Sequence, residues 1–361
     1  MTVETGLRSP LFEMAETTPT DYWNDSCAID ELTYAIANGA VGATSNPTIV
    51  GEVLVKEMDD WRPRIVELAG ANANWTEDEV TWALIEEMAA QASRLLLPVF
   101  ERERGRKGRL SIQTSPKLYR DPERLLEQTV RFHGLSPNMQ VKLPATRAGI
   151  AAVEEATARG VSINATVSFT VPQALAVGAA VERGLDRRAA AGEDIESMSP
   201  VCTIMVGRLD DWLEVAAAKS GALLTPGYVN WAGIACVKRA HAIYRERGYR
   251  TRVLAAAYRN HRHWSELMGG DIVLTIPSKW QKLFNASGIE VTPRFDDPVP
   301  AEAIEELERL VPDFSRAYEP DGLTVEEFDS FGATVRTLRS FIASYQELVA
   351  TVRDVILPSP D

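Results

Sequence analysis

Short apolar segments alternate with longer amphipathic ones along most of the chain, and this alternation limits the possible folds more than any other feature. The candidate strands are Asp21–Trp23, Val41–Asn46, Leu110–Ser115, Met139–Leu143, Ser162–Val167, Cys202–Val206, Thr251–Ala257 and Ile272–Ile276. Strands of this kind, most of them separated by a helical stretch, are typical of a (β/α)8 barrel. A doubly wound open sheet alternates in the same way, so the alternation alone leaves both folds possible.

Capping and glycine signals predict where several of the intervening helices begin and end. Thr76 and Glu79 have the spacing of a capping box, which predicts a helix start. Gly160 and Gly184 each follow an amphipathic stretch, and a glycine at such a position commonly ends a helix. The sequence therefore predicts one helix over 145–159 and another over 171–183.

The C-terminal part carries a second capping box, formed by Thr324 and Glu327, and then a long apolar stripe. The stripe advances in alternating steps of three and four residues through Val335, Leu338, Ile342, Tyr345, Val349, Val352 and Ile356. Because an amphipathic helix must bury its apolar face, we expect this helix to pack on the barrel, with a partner subunit as the alternative. We thus expect a single domain over 1–361, with an N-terminal segment 1–20 and a C-terminal helical extension of about 296–361 packed on the barrel.

Charge and composition argue against several classes of protein. The 51 acidic and 38 basic side chains give a net charge of −13, which disfavours a nucleic-acid-binding surface. No apolar run approaches the ~20 residues of a membrane-spanning helix, and residues 1–20 lack the apolar block of a signal peptide. The three cysteines, Cys27, Cys202 and Cys236, are far apart, which suggests reduced thiols and a cytoplasmic location.

Polar residues interrupt strands that should be almost continuously apolar in a parallel barrel. They alternate with apolar residues, so each polar set faces one side of its strand. If these polar groups faced the covering helices, they would lose hydrogen bonds worth about 1–3 kcal/mol each. They are better accommodated at the C-terminal mouth of the barrel, where barrel enzymes have their active sites. The residues are Thr44, Asn46, Ser111, Gln113, Lys142, Asn164, Thr166 and Thr203. They predict a site for a polyhydroxylated ligand, with a hydrogen-bonded polar plug as the alternative.

Lys142 is the most informative of these polar residues. A lysine in a buried strand loses its hydration, and this loss lowers its pKa toward neutrality. A neutral amine can condense with a carbonyl group to form a Schiff base, which accepts electrons when the adjacent carbon–carbon bond breaks. An ion pair between Lys142 and a carboxylate in the lumen is the alternative, and the lysine alone does not decide between them.

Five segments of the chain carry recognisable motifs. They are DYWND (21–25), GATSNPTIV (42–50), VKLPATRAGIAAVEEATARGVSINATVSFTVPQA (141–174), MVGRLDDW (205–212) and LAAAYRNHRHWSELMGGDIVLTIP (254–277). In this order, the five segments resemble those of the transaldolase family. The resemblance implies a (β/α)8 barrel and an enzyme that transfers a dihydroxyacetone unit between sugar phosphates by a Schiff-base mechanism. No cofactor, metal, nucleic acid or membrane is expected as a partner, and we expect a monomer or a homodimer.

The same resemblance implies catalytic roles for three residues. Lys142 matches the Schiff-base lysine, and Asp25 matches the aspartate that exchanges a proton with the C4 hydroxyl of the substrate. Thr166 matches the hydroxyl that helps to hold the catalytic water. For Asp25, capping of the following helix is the alternative.

Substrate-binding roles are implied for four more residues. Asn46 and Asn164 match amides that bind the dihydroxyacetone hydroxyls, although Asn46 before a proline is also a common turn residue. Arg208 and Arg259 match the phosphate-binding arginines, whose planar guanidinium groups suit phosphate oxygens. Surface ion pairs are the alternative for both arginines.

The chain departs from the family pattern at several site positions. Ordinary transaldolases carry a glutamate where Gln113 stands, and a glutamine binds water but does not titrate. Related fructose-6-phosphate aldolases also carry a glutamine there, but they add a tyrosine where this chain has Met205. Thr203 and Ala257 replace serines near the phosphate end of the substrate. One proton-transfer group is therefore missing or reassigned, which leaves an aldolase, a transferase with an unusual donor, or an inactive sugar-phosphate-binding protein as alternatives.

His261 and His263 are separated by a single residue, which is close enough for two metal ligands. No cysteine or further histidine lies nearby to complete a metal site. We therefore expect a solvated helix start at these residues and no metal site in the chain.

Overall fold

A closed barrel of eight parallel strands forms the centre of the computed structural model, which describes residues 9–360. The strands follow one another around the barrel in chain order, and the last pairs with the first. They are β1 (Asp21–Asn24), β2 (Gly42–Thr44), β3 (Arg109–Gln113), β4 (Met139–Pro144), β5 (Ile163–Ser168), β6 (Val201–Met205), β7 (Arg252–Ala256) and β8 (Val273–Ile276). The predicted (β/α)8 barrel is confirmed, and the open sheet is excluded.

Helices cover the outside of the barrel and extend beyond it at the C-terminal end of the chain. They are α1 (Pro10–Thr17), α2 (Ile29–Ala37), α3 (Pro47–Lys56), α4 (Met58–Ala71), α5 (Glu77–Arg102), α6 (Pro122–His133), α7 (Arg147–Ala158), α8 (Val171–Ala190), α9 (Val206–Ser220), α10 (Ala232–Arg247), α11 (Arg262–Ser265), α12 (Ser278–Asn285), α13 (Ala301–Leu310), α14 (Pro312–Tyr318) and α15 (Gly332–Ile356). The additional C-terminal helices expected from the sequence are therefore present.

The predicted helix boundaries are confirmed in part. Thr76 and Glu79 form the expected capping box at the start of α5, and Gly160 follows the end of α7 with a positive φ of 86°. The prediction that a helix ends at Gly184 is wrong, because α8 continues to Ala190. A Cβ atom at position 184 would lie 2.6 Å from the carbonyl oxygen of Glu154, so this glycine permits close packing of α8 on α7.

The second strand is shorter than the sequence predicts. It ends at Thr44, and Asn46 lies outside it as the N-cap residue of α3. The side-chain oxygen of Asn46 accepts a hydrogen bond from the backbone nitrogen of Ile49 at 3.1 Å. The local capping interaction therefore determines where the chain leaves the sheet.

Helix α15 packs on the barrel of its own chain, against α3, α4, α5 and α9. Its buried face is rotated slightly from the predicted stripe and consists of Ala333, Thr334, Thr337, Leu338, Phe341, Tyr345, Leu348 and Val352. Val335, which the prediction placed on the buried face, is 39% exposed. The capping box at Thr324 and Glu327 starts a short 3-10 turn before α15 and not α15 itself.

The N-terminal segment expected over 1–20 is described from residue 9 onward, and it contains α1. Residues 1–8 and residue 361 lie outside the described part of the chain. Between residues 9 and 360, no helix is both long and apolar enough to cross a membrane.

Candidate active site

A cavity of about 340 Å³ opens at the C-terminal ends of the strands, where enzymes with this fold keep their sites. Most residues selected from the sequence line it: Asp25, Asn46, Lys142, Thr166, Thr203, Met205, Arg208 and Arg259. Gln113 and Asn164 do not line this cavity. The structure thus brings the lysine, the aspartate and both arginines around one space.

The Lys142 side chain enters this cavity from β4 and is only 6% exposed. Its Nζ donates a hydrogen bond to the carbonyl oxygen of Ser45 at 3.1 Å. Burial lowers the pKa of Lys142 to about 8; the positive charge of Arg208 lowers it as well, while the negative charge of Asp25 opposes both effects. The lowered pKa increases the uncharged fraction of the amine near neutral pH. The ion pair considered as an alternative is not formed, since no carboxylate of residues 9–360 lies within salt-bridge distance of Nζ.

Asp25 follows the last residue of β1 and faces the same cavity. Its Oδ1 accepts a hydrogen bond from the Thr44 hydroxyl at 2.6 Å. Burial raises the pKa of Asp25, and Lys142, the Thr44 hydrogen bond and Arg208 counter this rise in part. Asp25 does not cap the following helix, because the N-cap of α2 is Ala28 and no side chain caps it. Asp25 is therefore a buried carboxyl group that faces the same cavity as Lys142.

A hydrogen-bonded polar layer lies within the barrel beside the cavity. Asn164 is fully buried; its Nδ2 donates to the Ser111 hydroxyl at 3.2 Å, and its Oδ1 accepts from the Thr203 hydroxyl at 2.7 Å. Ser111 also lies 2.5 Å from Oε1 of Gln140. The polar plug considered as an alternative therefore exists for these residues, but it coexists with the cavity, which Thr203 also lines.

Gln113 lies next to Lys142 in the sheet, because the two residues are register partners in the β3–β4 ladder. Gln113 is 5% exposed, and its buried Oε1 has no hydrogen-bond partner among the described residues. Leaving a buried oxygen without a hydrogen bond costs roughly 1–3 kcal/mol in folding free energy. Because Oε1 of Gln113 is unpaired, it retains the capacity to accept a hydrogen bond beside Lys142. Gln113 therefore lies beside Lys142 but outside the cavity lining expected from the sequence, and an amide cannot replace a titrating carboxylate.

On the β5–β6 side of the cavity, a threonine hydroxyl faces a methionine sulfur, and the neighbouring backbone is strained. Thr166 directs its hydroxyl toward the sulfur of Met205 at 4.0 Å, and both residues line the cavity. Val167 has a positive φ of 52°, and the β5–β6 register shifts between Ala165 and Ser168. Left-handed backbone at a β-branched residue costs about 1–3 kcal/mol, and such strain concentrates at functional sites.

Arg208 and Arg259 reach the cavity from the segments that follow β6 and β7. Gly207 lets these segments meet, because a Cβ atom there would lie 2.1 Å from the carbonyl oxygen of Ala257. Arg259 forms an ion pair with Asp211, with Nη2 and Oδ2 2.8 Å apart, which matches the alternative interpretation for this arginine. Arg208 has no ion pair among the described residues, and burial, followed by the charge of Arg259, lowers its pKa.

Comparison with known proteins shows the family of the chain. A family model described as "Transaldolase/Fructose-6-phosphate aldolase" matches residues 22–348. The chain belongs to this family. It is 28% identical over 344 residues to a transaldolase of Thiobacillus denitrificans, an alignment that covers 87% of this chain and 90% of the relative. It is 31% identical over 210 residues to a transaldolase of Mycobacterium ulcerans, with 57% and 55% of the two chains covered.

The family resemblance inferred from the sequence is thus confirmed, but some cavity residues of this transaldolase-family member were not predicted. They include Glu52, Tyr258, Lys279, Trp280 and Phe341. Lys279 and Trp280 follow the end of β8 closely, so their place at the C-terminal end of a strand was a usable signal. Phe341 comes from α15, far along the chain, and no local pattern indicates that it reaches the cavity.

The prediction of a solvated helix start is wrong for His263. This side chain is fully buried, its Nε2 lies 2.9 Å from Oδ2 of Asp210, and its Nδ1 accepts a hydrogen bond from the backbone nitrogen of Arg259 at 3.1 Å. His263 therefore connects α9 to the segment that carries Arg259. Within residues 9–360, no group of three or more histidine, cysteine or acidic residues is arranged to hold a metal ion.

Proposed function

We propose that this chain is a transaldolase-type transferase, which moves a dihydroxyacetone unit from a ketose phosphate to an aldose phosphate through a Schiff base on Lys142. Fructose 6-phosphate and sedoheptulose 7-phosphate are the proposed donors. One observation carries the proposal: a buried amine with a pKa of about 8 shares a cavity with the Asp25 carboxyl group and with Arg208. Membership of the family and the relatives named transaldolase support the same enzyme class.

The first chemical step joins Lys142 to the donor. The uncharged amine attacks the C2 carbonyl carbon, the carbon–oxygen π bond opens as the carbon–nitrogen bond forms, and the proton lost by the nitrogen passes to the oxygen to give a carbinolamine. The hydroxyl group then takes up a further proton from solvent, the carbon–oxygen bond breaks, and the departing water leaves the protonated Schiff base. The Thr166 hydroxyl, which lines the cavity, is the group proposed to bind this water.

The second step breaks the carbon–carbon bond. The Asp25 carboxylate takes the proton of the C4 hydroxyl as the C3–C4 bond breaks, and the electron pair moves into the Schiff base to leave an enamine. The aldose phosphate departs, and the acceptor aldehyde then reacts with C3 of the enamine while Asp25 returns the proton. A raised pKa suits this role, because the same carboxyl group must both accept and donate a proton.

Phosphate recognition is proposed for the cationic side of the cavity. Arg208 and Arg259 line it, and Lys279 lies at the same cavity without an ion pair to any described residue. A protein with a net charge of −13 repels a phosphate dianion at long range, so it needs such a local group of cations to bind one. Asn46 supplies a further donor, because capping of α3 uses only its side-chain oxygen.

Borohydride trapping tests the proposal directly. Reduction in the presence of fructose 6-phosphate should leave a stable adduct on the peptide that contains Lys142, and Lys142→Met should abolish it. Lys282→Met, which removes an exposed lysine of α12 outside the cavity, is the matched control and should retain the adduct. Absence of a mass increase with fructose 6-phosphate, sedoheptulose 7-phosphate and free dihydroxyacetone would refute the proposed function.

An aldolase is the second candidate, and the amide of Gln113 beside Lys142 favours it, because a non-titrating group there alters the proton transfers of ordinary transaldolases. The two reactions differ in their products. Free dihydroxyacetone released without an acceptor aldehyde indicates an aldolase, whereas strict dependence on an acceptor indicates the transferase.

A further inference from the structure

An aromatic ring, and not a carboxylate, holds the guanidinium group of Arg208. The guanidinium carbon lies 5.1 Å from the centre of the Phe341 ring. No acidic side chain of the described residues forms an ion pair with Arg208, although Asp25 and Asp211 act on it electrostatically. A cation–π contact holds a guanidinium group over the face of the ring. No hydrogen bond from Arg208 to another described residue is formed, so its N–H groups are free for another partner.

The neighbouring arginine shows the contrast. Arg259 Nε lies 3.1 Å from each carboxylate oxygen of Asp211, and its Nη2 lies 2.8 Å from Oδ2. Its charge and several of its donors are therefore already engaged. Arg208 thus keeps the charge and the donor groups that a phosphate dianion needs.

Phe341 reaches this position because α15 is attached to the barrel at several points. The Tyr345 hydroxyl donates to Oδ1 of Asp78 at 2.6 Å, and Nη1 of Arg336 donates to the carbonyl oxygen of Asp211 at 3.2 Å. Phe341 itself is 1% exposed, yet it lines the cavity that contains Lys142 and Arg208. A buried ring on an anchored helix is a rigid support for a flexible side chain.

We infer that Phe341 is a positioning residue for phosphate: by holding the Arg208 guanidinium group over its ring, it makes the C-terminal helix α15 part of the phosphate-binding side of the cavity. The part of this inference that concerns phosphorylated substrates rests on the proposed function. The ring therefore contributes to selectivity for phosphorylated donors. Its loss weakens the binding of these donors and leaves the binding of an uncharged ketone at Lys142 unchanged.

The test compares two donors in the borohydride reaction. In Phe341→Leu, the concentration of fructose 6-phosphate that gives half-maximal adduct should rise roughly three- to tenfold, while that of free dihydroxyacetone should not change. Phe341→Tyr retains the aromatic ring and should give the same half-maximal concentration of fructose 6-phosphate as the unaltered protein. Val352→Ala removes buried side-chain volume elsewhere on α15 and controls for general weakening of the helix.

An equal rise for both donors, or none for fructose 6-phosphate, would overturn the inference. If Phe341→Leu does not fold, Phe341→Met replaces it. Protection of Arg208 against phenylglyoxal by inorganic phosphate gives a readout that does not depend on the reaction. Protection at similar phosphate concentrations with and without the ring contradicts the inference, whereas a missing Lys142 adduct in the unaltered protein contradicts only the proposed function.

Discussion

At the scale of single residues, the surroundings of one amino group set the pH range of the proposed reaction. Burial lowers the pKa of Lys142 to about 8, and only the uncharged amine attacks a carbonyl. We therefore expect the rate of adduct formation with free dihydroxyacetone to rise about tenfold per pH unit below about pH 8 and to level off above it. Borohydride trapping over about pH 6 to 10.5 measures this profile. A midpoint near the unperturbed value of 10.5 would contradict the burial of the amine.

Gln113→Glu should move that midpoint upward. A carboxylate at position 113 lies beside Lys142 in the β3–β4 ladder, and its negative charge favours the protonated amine. Adduct formation near pH 7 should therefore slow, and the same trapping profile measures the shift. Gln113→Asn, which keeps the amide and adds no charge, is the matched control and should leave the midpoint in place.

The transfer rate of Gln113→Glu carries separate information. A large gain in transfer means that the chain is an ordinary transaldolase weakened by its glutamine, since acid–base assistance is worth ~10²–10⁴-fold. A loss means that the amide belongs to different chemistry. An unchanged midpoint together with an unchanged transfer rate would show that Gln113 does not act on Lys142.

Single-residue reasoning from the sequence succeeded where the local strand pattern determined the result. Lys142, Thr166 and Thr203 reach the cavity because alternation along a strand fixes the face of each side chain. The same reasoning did not find Phe341, because its position depends on how a distant helix packs on the barrel. It also misplaced His263, whose buried contact with Asp210 joins two segments far apart in sequence.

At the scale of elements, helix packing explains the glycine that was wrongly predicted to end a helix. Gly184→Ala would place a Cβ atom 2.6 Å from both the Glu154 carbonyl oxygen and the Thr157 Cβ, so α7 and α8 must separate. We expect a net loss of about 1–2 kcal/mol in the free energy of unfolding, since the ~1–3 kcal/mol of overpacking exceeds the helix propensity gained. Urea denaturation measures this change.

Gly70→Ala is the control for this prediction. Gly70 also lies within a helix, α4, but a Cβ atom there meets nothing within 4 Å. The variant should gain up to ~1 kcal/mol from helix propensity alone. Equal effects of the two substitutions would show that the α7–α8 contact does not require a glycine.

The order of the strands was predictable from the sequence, but several element boundaries were not. Apolar runs separated by amphipathic stretches identify the strands, and the resemblance to a family selected the barrel over an open sheet. The end of β2 depended on the capping bond between Asn46 and Ile49, and the length of α8 depended on its contact with α7. Glycine favours both helix ends and close helix packing, so a glycine in the sequence does not reveal which of the two applies.

At the scale of the whole molecule, the two ends of the barrel differ in how their charged side chains are paired. The C-terminal end holds Arg208 without an ion pair among the described residues, which leaves its charge for a ligand. At the N-terminal end, opposite charges pair with one another. Asp21, at the start of β1, binds both Lys107, with Nζ and Oδ1 2.7 Å apart, and Arg252 at the start of β7. This arrangement is typical of barrels, in which the C-terminal face carries activity and the N-terminal face carries stability.

Asp21→Asn should therefore destabilise the barrel without changing the proposed site. The Asp21 side chain is 9% exposed and its two partners are 29% and 37% exposed, so the loss should lie between the ~1 kcal/mol of a surface pair and the ~3–5 kcal/mol of a broken buried one. Asp271→Asn, which removes a 61% exposed partner of the same Arg252, should cost less than about 0.5 kcal/mol. Urea denaturation gives both losses, and borohydride trapping with fructose 6-phosphate should give the same half-maximal concentration in the two variants. Equal stability of the two variants would contradict the stabilising role of the Asp21 ion pairs. A shifted half-maximal concentration in Asp21→Asn would mean that the two ends of the barrel are not independent.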